Sequence, residues 1–318
     1  MRVETSLNMH SPSELNYPRI RIPRWILAFT ILLTGAGLAL AQFGGGGRGG
    51  RGGGGGGRIR VPEGTRTARE INSRTTFDTP MWTNLPGFEK NVFTFARLRF
   101  GVEGWTGGVG GGSWSTDFPD ADLNLSWRLQ QLTSLKVDPN GRILRANDPE
   151  LVHYPFLMTT AAGAMELERD EVVGLRRYLQ NGGFLLITDF WGDLEWNWFA
   201  GVMKDVLPGR SFVELPLEHP IYHIVYEIRA KNRVPRINFG LGSLYNGSTP
   251  WERGPSGEEV HHRGIFDDKG RLIVLALHNS DDSDGWEREG DNSDYFIAFA
   301  EKYAYPLAIN IIMYVLTH

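Results

Sequence analysis

Short apolar runs alternate with amphipathic stretches along the chain between residues 92 and 207. Three runs of high apolar content are predicted as strands: Val92–Phe100, Tyr154–Thr160 and Phe184–Thr188. Three intervals with apolar residues on one helical face are predicted as helices: Leu123–Thr133, Glu168–Gln180 and Leu194–Val206. This alternation predicts an α/β fold, a three-layer sandwich with a mostly parallel sheet.

The later part of the chain continues the pattern after a less regular interval. Six prolines interrupt residues 208–270, so short strands and loops are expected there, with a hairpin near His261–Arg271. Arg271–His278 (RLIVLALH) is predicted as a further buried strand. The end, Asn292–Leu316, is predicted to be helical, with Pro306 splitting or kinking it.

A signal for export is predicted at the amino-terminal end. Three arginines between residues 19 and 24 precede an apolar run, Trp25–Leu40, and a small-x-small site follows at residues 39–41. These three parts together predict a secretory signal over residues 1–41, and hence a periplasmic or cell-envelope protein. An uncleaved inner-membrane anchor in residues 25–41 is the alternative, although the run is shorter than the roughly 20 residues of a spanning helix.

Residues 42–90 are predicted to be a Gly/Arg-rich disordered tether followed by an irregular lead-in. Residues 44–57 hold twelve glycines and two arginines, a composition that cannot bury apolar surface. The α/β domain is therefore assigned to residues 91–318.

The composition excludes several kinds of chemistry. Cysteine is absent, which excludes disulfides, thiolate nucleophiles and cysteine-ligated metals. The formal net charge of −4 gives no basic footprint, so no nucleic-acid partner is expected. Six tryptophans are assigned to surface loops and favour a binding role: Trp105, Trp114, Trp191, Trp196, Trp198 and Trp286.

Polar residues stand where the predicted strands end. In open α/β sheets ligands bind beyond the carboxyl ends of the strands, so these residues are expected to meet at one edge. The expected ligand-binding residues are Arg97, Arg99, Thr159, Thr160, Trp191, Asn279 and Asp281, and the expected catalytic residues are Asp189, Asp193 and His219. For Asp189 two readings stay open: it binds a cation or acts as a general base, or it caps the following turn.

Three weaker motifs also leave alternatives open. His219 and His223 have the spacing of zinc ligands on a helix, but Pro220 favours a turn in which His219 bonds the backbone. Asp281–Gly285 (DDSDG) resembles half of a calcium loop, but a solvated acidic loop is favoured, and a cation or sugar site of another kind at Asp281 or Asp282 stays open. The glycine-rich loop Gly101–Gly112 lacks the clean spacing of a dinucleotide site. No cofactor is predicted, and a divalent metal of unknown identity stays an open alternative.

Several motifs together resemble one known bacterial family. They are Phe93–Leu98 (FTFARL), Tyr154–Thr160 (YPFLMTT), Arg176–Leu179 (RRYL), Gly182–Leu185 (GGFL), Asp189–Asp193 (DFWGD), Pro216–Pro220 (PLEHP) and Asn279–Asp281 (NSD). The chain resembles the family called domain of unknown function 4159 over roughly residues 90–317. The resemblance implies a flavodoxin-like sandwich similar to class I glutamine amidotransferases, and it implies no activity. Because an amidotransferase needs a cysteine nucleophile, amidotransferase activity is excluded.

Three kinds of function compete at this point. A non-catalytic module of the cell envelope, binding a small ligand or an envelope protein, is favoured by the missing cysteine and by the tryptophans. A hydrolase of an envelope substrate, using carboxylates and histidine with or without a metal, requires Asp189, Asp193, His219 and Asp281 to converge. A structural envelope protein would keep its amino-terminal segment.

Overall fold

The computed structural model describes residue 59 and residues 61–88, 91–101, 109 and 112–318. The signal predicted for residues 1–41, the Gly/Arg tract and most of the glycine-rich loop with Trp105 lie outside the described residues. Within the described part of the chain, no helix is long and apolar enough to cross a membrane. Residues 61–88 have little regular structure, but Val61 and Ala68 are buried in the core.

A seven-stranded sheet forms the centre of the domain, in the order β2-β1-β3-β4-β7-β6-β5. The first five strands in this order are parallel, and β6 and β5 extend the sheet in antiparallel fashion. The mostly parallel sheet predicted from the sequence is confirmed. The strands are β1 (Ala96–Arg99), β2 (Arg142–Arg145), β3 (Phe156–Thr160), β4 (Phe184–Thr188), β5 (Val213–Glu214), β6 (His261–Phe266) and β7 (Leu272–His278).

Helices cover both faces of the sheet. They are α1 (Asp120–Leu132), α2 (Arg169–Gln180), α3 (Gly192–Val206), α4 (Ile237–Asn246), α5 (Asp282–Glu287), α6 (Ser293–Tyr295), a π-helix (Phe296–Ala304) and α7 (Tyr305–Thr317). Five short 3-10 turns accompany them: Ala68–Glu70, Pro149–His153, Ala162–Ala164, Pro220–Tyr222 and Gly254–Gly257. Together these elements give an α/β fold with the sheet in the middle layer.

The two faces of the sheet bury separate apolar clusters. Leu185 and Ile187 of β4 pack in one cluster with residues of α2 and α3, such as Leu179 and Phe199. The alternate residues of β4 pack in the other cluster with residues of α1 and α7. Since successive side chains of a strand point to opposite faces, a continuous apolar run such as FLLIT fills both clusters at once. Each fully buried side chain of this size contributes about 1.5–3 kcal/mol.

The sequence predicted the central elements better than the peripheral ones. The predicted strand Phe184–Thr188 is confirmed, and the predicted final helical segment changes from a π-helix to an α-helix at Tyr305, one residue before Pro306. Strand β2 and helix α4 were not predicted. β2 is a four-residue strand at one end of the sheet, and α4 has the sequence INFGLGSLYN, whose two glycines obscure its helical pattern.

Arg97 and Arg99 do not reach the cleft that was expected for them. Arg97 is fully buried and forms an ion pair with Asp122 of α1, its Nε lying 3.1 Å from Asp122 Oδ1. Arg99 pairs with Glu63 of the lead-in at 2.6 Å. Burial raises the pKa of Asp122, and the Arg97 guanidinium opposes this effect. The basic end of β1 therefore joins the sheet to α1 and to the lead-in.

Replacing Arg97 by Met should destabilise the protein by about 3–5 kcal/mol, because it leaves the Asp122 carboxylate buried without a counter-charge. The free energy of unfolding, measured by urea denaturation, checks this. The double variant Arg97→Met/Asp122→Leu should recover most of the loss. Arg66→Met is the control, since Arg66 is half exposed and its ion pair with Asp148 should contribute at most about 1 kcal/mol. A loss below that of the control would contradict a structural role for the buried pair.

Two histidines of the antiparallel extension are buried as neutral groups. Burial lowers the pKa of His262 and of His278 to about 3. The Nδ1 atom of His262 lies 2.9 Å from the hydroxyl of Tyr222. In the unfolded chain a histidine titrates near pH 6.5, so between about 6.5 and 3 the unfolded state binds the extra proton. The stability contributed by each neutral histidine is therefore complete above pH 6.5 and is lost as the pH falls toward 3.

His262→Gln should weaken the dependence of stability on pH in this window. Each buried histidine contributes about 1.4 kcal/mol per pH unit, so between pH 7.5 and 5.0 the variant should lose about 2 kcal/mol less than the wild type. Urea unfolding at the two pH values measures both losses. Equal losses in the two proteins would show that His262 is not buried as a neutral group.

Candidate functional site

The carboxyl ends of four parallel strands meet at one edge of the sheet, as predicted. β1, β3, β4 and β7 are neighbours in the same direction. Asp189 directly follows β4 in the left-handed region, with φ 54°. Asp281 follows β7 and begins α5, where its side chain accepts a hydrogen bond from the Asp284 N–H. Both acids thus stand on short connections to buried strands.

A third acid, Asp117, comes from the loop between β1 and α1. Thr160 at the end of β3 holds this loop, because its Oγ1 lies 3.2 Å and 3.3 Å from the carbonyl oxygens of Ser113 and Thr116. Arg97 contacts the same loop through the carbonyl oxygen of Trp114 at 3.4 Å. Asp117 itself has φ 61°. Thr160 and Arg97, which were expected to bind ligand, instead position the loop that carries Asp117.

Asp117, Asp189 and Asp281 converge in one cluster. One carboxylate oxygen from each lies within 4.8 Å of the others. Ser283 bridges two of them, since its Oγ lies 2.6 Å from Asp117 Oδ2 and 3.0 Å from Asp281 Oδ1. The indole N–H of Trp191 donates to Asp189 Oδ1 at 3.2 Å. We call these three residues the aspartate triad.

The aspartate triad forms no direct ion pair with the residues that the structure describes, although the charges of Arg253 and Arg288 act on it from a greater distance. None of its three carboxylates forms an ion pair with a described arginine, lysine or histidine. Burial raises the pKa of Asp189 well above its usual value, and the charge of Asp117 adds to the effect. Burial likewise raises the pKa of Asp281, with the charge of Asp189 adding to it. The arrangement favours either bound protons or a bound cation.

A second acidic group adjoins the triad and has its own counter-charge. Asp284 and Glu287 of α5 also lie within 4.8 Å of Asp117. Arg288 contacts both, its Nε at 3.1 Å from Asp284 Oδ1 and its Nη2 at 2.9 Å from Glu287 Oε2. Both carboxylate oxygens of Glu287 are buried without a hydrogen bond, and burial raises its pKa to about 10. One guanidinium thus serves two buried acids.

A cleft of about 310 Å³ opens onto these groups. It is lined by Arg74, Gly112, Ser115, Thr116, Asp117, Asp189, Trp191, Glu195, Arg236, Glu252, Arg253, Asp281, Asp284 and Arg288. Four arginines therefore surround an acidic floor. Arg253 is paired with Glu195 at 2.8 Å, whereas the guanidinium of Arg236 forms no ion pair or hydrogen bond with the described residues.

The glycine at the start of α3 allows this helix to lie close to the segment that contains Arg253 and Ser256. Gly192 has φ 71°, and a Cβ at this position would lie 2.7 Å from the Ser256 Oγ. Glu195 of the same helix reaches back to accept the Trp191 N–H at 3.0 Å. Asp189 does not cap α3, so the capping alternative for this residue is wrong.

The other predicted site residues lie elsewhere. Asp193 is exposed on α3 and does not line the cleft. Thr159 hydrogen-bonds the Leu98 carbonyl, and Asn279 receives the Gly192 N–H at 2.8 Å, so both stabilise the backbone. His219 packs against Phe266 and Tyr314, near the amino end of β7 and thus at the opposite edge of the sheet.

The predicted convergence of Asp189, Asp193, His219 and Asp281 is therefore wrong, because only Asp189 and Asp281 meet. No histidine in the described part of the chain lines the cleft. The turn predicted at His219 is confirmed, with its Nδ1 accepting the Ile221 N–H at 3.3 Å.

Two expectations about loops also need correction. Residues 281–285 belong to the start of the buried helix α5 and not to a solvated acidic loop or a calcium loop. Trp286 is fully buried, and Trp191 and Trp114 are only 3% and 8% exposed, so their assignment to the surface is wrong. The tryptophans therefore give no support for a broad aromatic binding surface.

Sequence reasoning missed Asp117, Glu287 and the cleft arginines, and it considered Asp284 only as part of a calcium loop. Asp117 stands in Ser-Thr-Asp-Phe-Pro, which looks like an ordinary approach to a helix. The sequence did contain one signal for this part of the site, a cluster of acids directly after the fully buried strand β7. Four acids lie within nine residues of its end: Asp281, Asp282, Asp284 and Glu287.

Asp189→Asn should stabilise the metal-free protein, and the stabilisation should be about 1–3 kcal/mol larger at pH 8 than at pH 5. The folded state raises the pKa of Asp189, so its ionisation costs stability as the pH rises above about 4, and asparagine removes that cost. Urea unfolding in a chelator at both pH values measures the difference. Asp193→Asn is the control and should stay within about 0.5 kcal/mol of the wild type. A variant less stable than the wild type at pH 8 would contradict repulsion within the triad.

The comparison with protein families identifies one match. The family model described as domain of unknown function (DUF4159) matches residues 94–316, which is more than half of the chain and includes all three members of the aspartate triad. No curated protein matches the chain.

Proposed function

Since the chain belongs to the family described as domain of unknown function 4159, whose description assigns no activity, we propose a function from the geometry alone: a ligand-binding domain that depends on a divalent cation. The observation that carries the proposal is the aspartate triad, three carboxylates within 4.8 Å of one another that form no ion pair with a described residue. Burial, and to a lesser extent mutual repulsion, raises the pKa values of Asp189 and Asp281, and a cation between the carboxylates would offset both effects.

The ligand chemistry points to a hard cation. The triad offers carboxylate oxygens, and the hydroxyl of Ser283 lies between two of them. Oxygen ligands suit Mg²⁺, Mn²⁺ and Ca²⁺, whereas zinc and copper sites use histidine or cysteine. The neighbouring acids Asp284 and Glu287 share the counter-charge of Arg288, whereas the triad forms no ion pair with the described residues, so the triad is the place where an added cation is most needed.

The adjoining Glu287 supports the same conclusion independently. Its side chain is fully buried, and neither carboxylate oxygen accepts a hydrogen bond although both Arg288 and Arg74 are near. A buried carboxylate normally has its hydrogen-bond capacity satisfied. The site is thus built to hold more negative charge than its own arginines neutralise.

Binding is favoured over histidine-dependent hydrolysis. His219 lies at the opposite edge of the sheet, and no described histidine lines the cleft. Hydrolysis at this cleft would therefore depend on the cation and the triad, without the imidazole base that the sequence suggested.

The order of the parallel strands supports a finer fold assignment, which we also propose. The strands β2-β1-β3-β4-β7 follow the doubly wound order 2-1-3-4-5 of flavodoxin-like folds, to which the amidotransferase-like sandwich implied by the resemblance is similar. At the end of β4, where such an enzyme would need its nucleophile, this chain has Asp189.

Export to the cell envelope completes the proposal. Its support is the basic region, apolar run and small-x-small site within residues 1–41, which lie outside the described residues. In this proposal the Gly/Arg tract that follows is a flexible spacer between the export signal and the α/β domain.

Calorimetric titration of the chelator-treated protein with Mn²⁺, Mg²⁺ and Ca²⁺ tests the cation site. We expect one of these ions to bind with a stoichiometry of one. Asp189→Asn should weaken its affinity about tenfold or more, because a carboxylate ligand is lost. Asp193→Asn, four residues along the chain but outside the cleft, should bind as the wild type does. Absence of binding by all three ions at millimolar concentration would overturn the proposal.

A further inference from the structure

Two of the arginines that line the cleft donate no guanidinium hydrogen bond to the residues that the structure describes. Four arginines line the cleft: Arg74, Arg236, Arg253 and Arg288. Arg288 is taken up by Asp284 and Glu287, and Arg253 by Glu195. The remaining two, Arg74 and Arg236, have spare hydrogen-bonding capacity.

Arg236 is the clearer case. Its guanidinium forms no hydrogen bond or ion pair with any residue that the structure describes, although its charge acts on the carboxylate of Glu252. It is not a fully exposed surface residue, because it stands half-buried at the amino end of α4 and lines the cleft. A half-buried guanidinium without a partner inside a cleft is suited to hold an anion from outside the chain.

Arg74 lies in the same cleft and is only weakly engaged. Its one ion pair is a 3.7 Å contact between Nη1 and the Glu287 carboxylate, too long for a hydrogen bond. Its side chain is 20% exposed, and its backbone N–H donates to the Asp120 carboxylate at 2.9 Å, which fixes the lead-in at this point. The two guanidinium groups therefore belong to ordered segments of the structure.

We propose that the cleft binds a phosphate monoester of a small molecule, with its phosphoryl oxygens shared between the cation on the aspartate triad, Arg236 and Arg74. This inference rests on the proposed function for the cation and adds the class of ligand. A phosphate dianion has three free oxygens, so it can contact a cation and two guanidinium groups at once. A carboxylate has only two oxygens and one charge, which leaves one of the three groups without a partner.

The remaining features of the cleft agree with a small phosphorylated ligand. Its volume of about 310 Å³ is near the lower end of the range for small-molecule sites. Ser115 and Thr116 add hydroxyl groups to the lining, and Trp191 adds part of an aromatic ring. These groups can contact the organic part of the ligand and hydrogen-bond to it, while the cation, Arg236 and Arg74 hold the phosphate.

Titration with glycerol 3-phosphate, in the presence and absence of saturating Mn²⁺, tests the inference. We expect binding that is strengthened about tenfold or more by the cation, and binding of acetate that is much weaker. Inorganic phosphate should compete with glycerol 3-phosphate. An equal affinity for acetate and phosphate would overturn the assignment of a phosphate.

Variants separate this inference from the proposed function. Arg236→Gln should weaken glycerol 3-phosphate about tenfold or more and leave the affinity for Mn²⁺ alone unchanged or raised, since Arg236 is not a cation ligand. Arg74→Gln should act in the same direction. Arg229→Gln is the matched control, because Arg229 is 85% exposed and lies outside the cleft lining.

The possible failures are distinguishable. Mn²⁺ binding without any glycerol 3-phosphate binding would overturn the ligand class and leave the cation site intact. Phosphate binding that Arg236→Gln does not weaken would overturn the role of Arg236. Absence of Mn²⁺, Mg²⁺ and Ca²⁺ binding would overturn both the cation site and the ligand arrangement built on it. Circular dichroism of each variant confirms that a loss of binding is not a loss of fold.

Discussion

The buried ion pair between Arg97 and Asp122 is the interaction on which the rest of the site depends. Arg97 belongs to the fully buried strand β1, and Asp122 lies in the first turn of α1. The pair fixes where the loop between β1 and α1 enters its helix, and the same guanidinium holds that loop through a carbonyl oxygen. Asp117 stands on this loop in a left-handed conformation that a free chain would rarely adopt. The position of one acid in the cleft is therefore set by a charge pair that never touches a ligand.

The central strands of the sheet could be predicted because a buried strand is recognisable from a short, continuous run of apolar residues. FLLIT and RLIVLALH are too apolar and too short for other roles, and their neighbours supply helix caps and turns. Edge elements lack this signal: β2 is a four-residue strand that contains two arginines. The same limit applies to the end of the chain, where a π-helix separates α6 from α7, since a wider helical turn leaves no distinct pattern in one sequence.

The site was predictable only in outline. Strand ends indicate which edge binds ligands, and this rule placed Asp189 and Asp281 correctly at that edge. It failed for Arg97, Thr160 and Asn279, because a polar side chain at a strand end serves equally well to hold a loop, and only three-dimensional contacts separate the two uses. Asp117 and Arg236 were out of reach for another reason: they come from irregular segments whose direction a sequence pattern does not determine.

The aspartate triad is assembled from three distant segments, and this has a consequence for folding. Residues 117, 189 and 281 follow three different strands, so no local stretch of the chain contains the complete set. An unfolded chain consequently offers nothing that resembles the site, and a cation that enters it binds the native state alone. By mass action the concentration of that ion then becomes a variable of the folding equilibrium, worth about 2.7 kcal/mol at a hundredfold excess over the dissociation constant. If the proposed cation binds, its concentration in the surroundings would therefore contribute to the stability of the fold alongside the sequence.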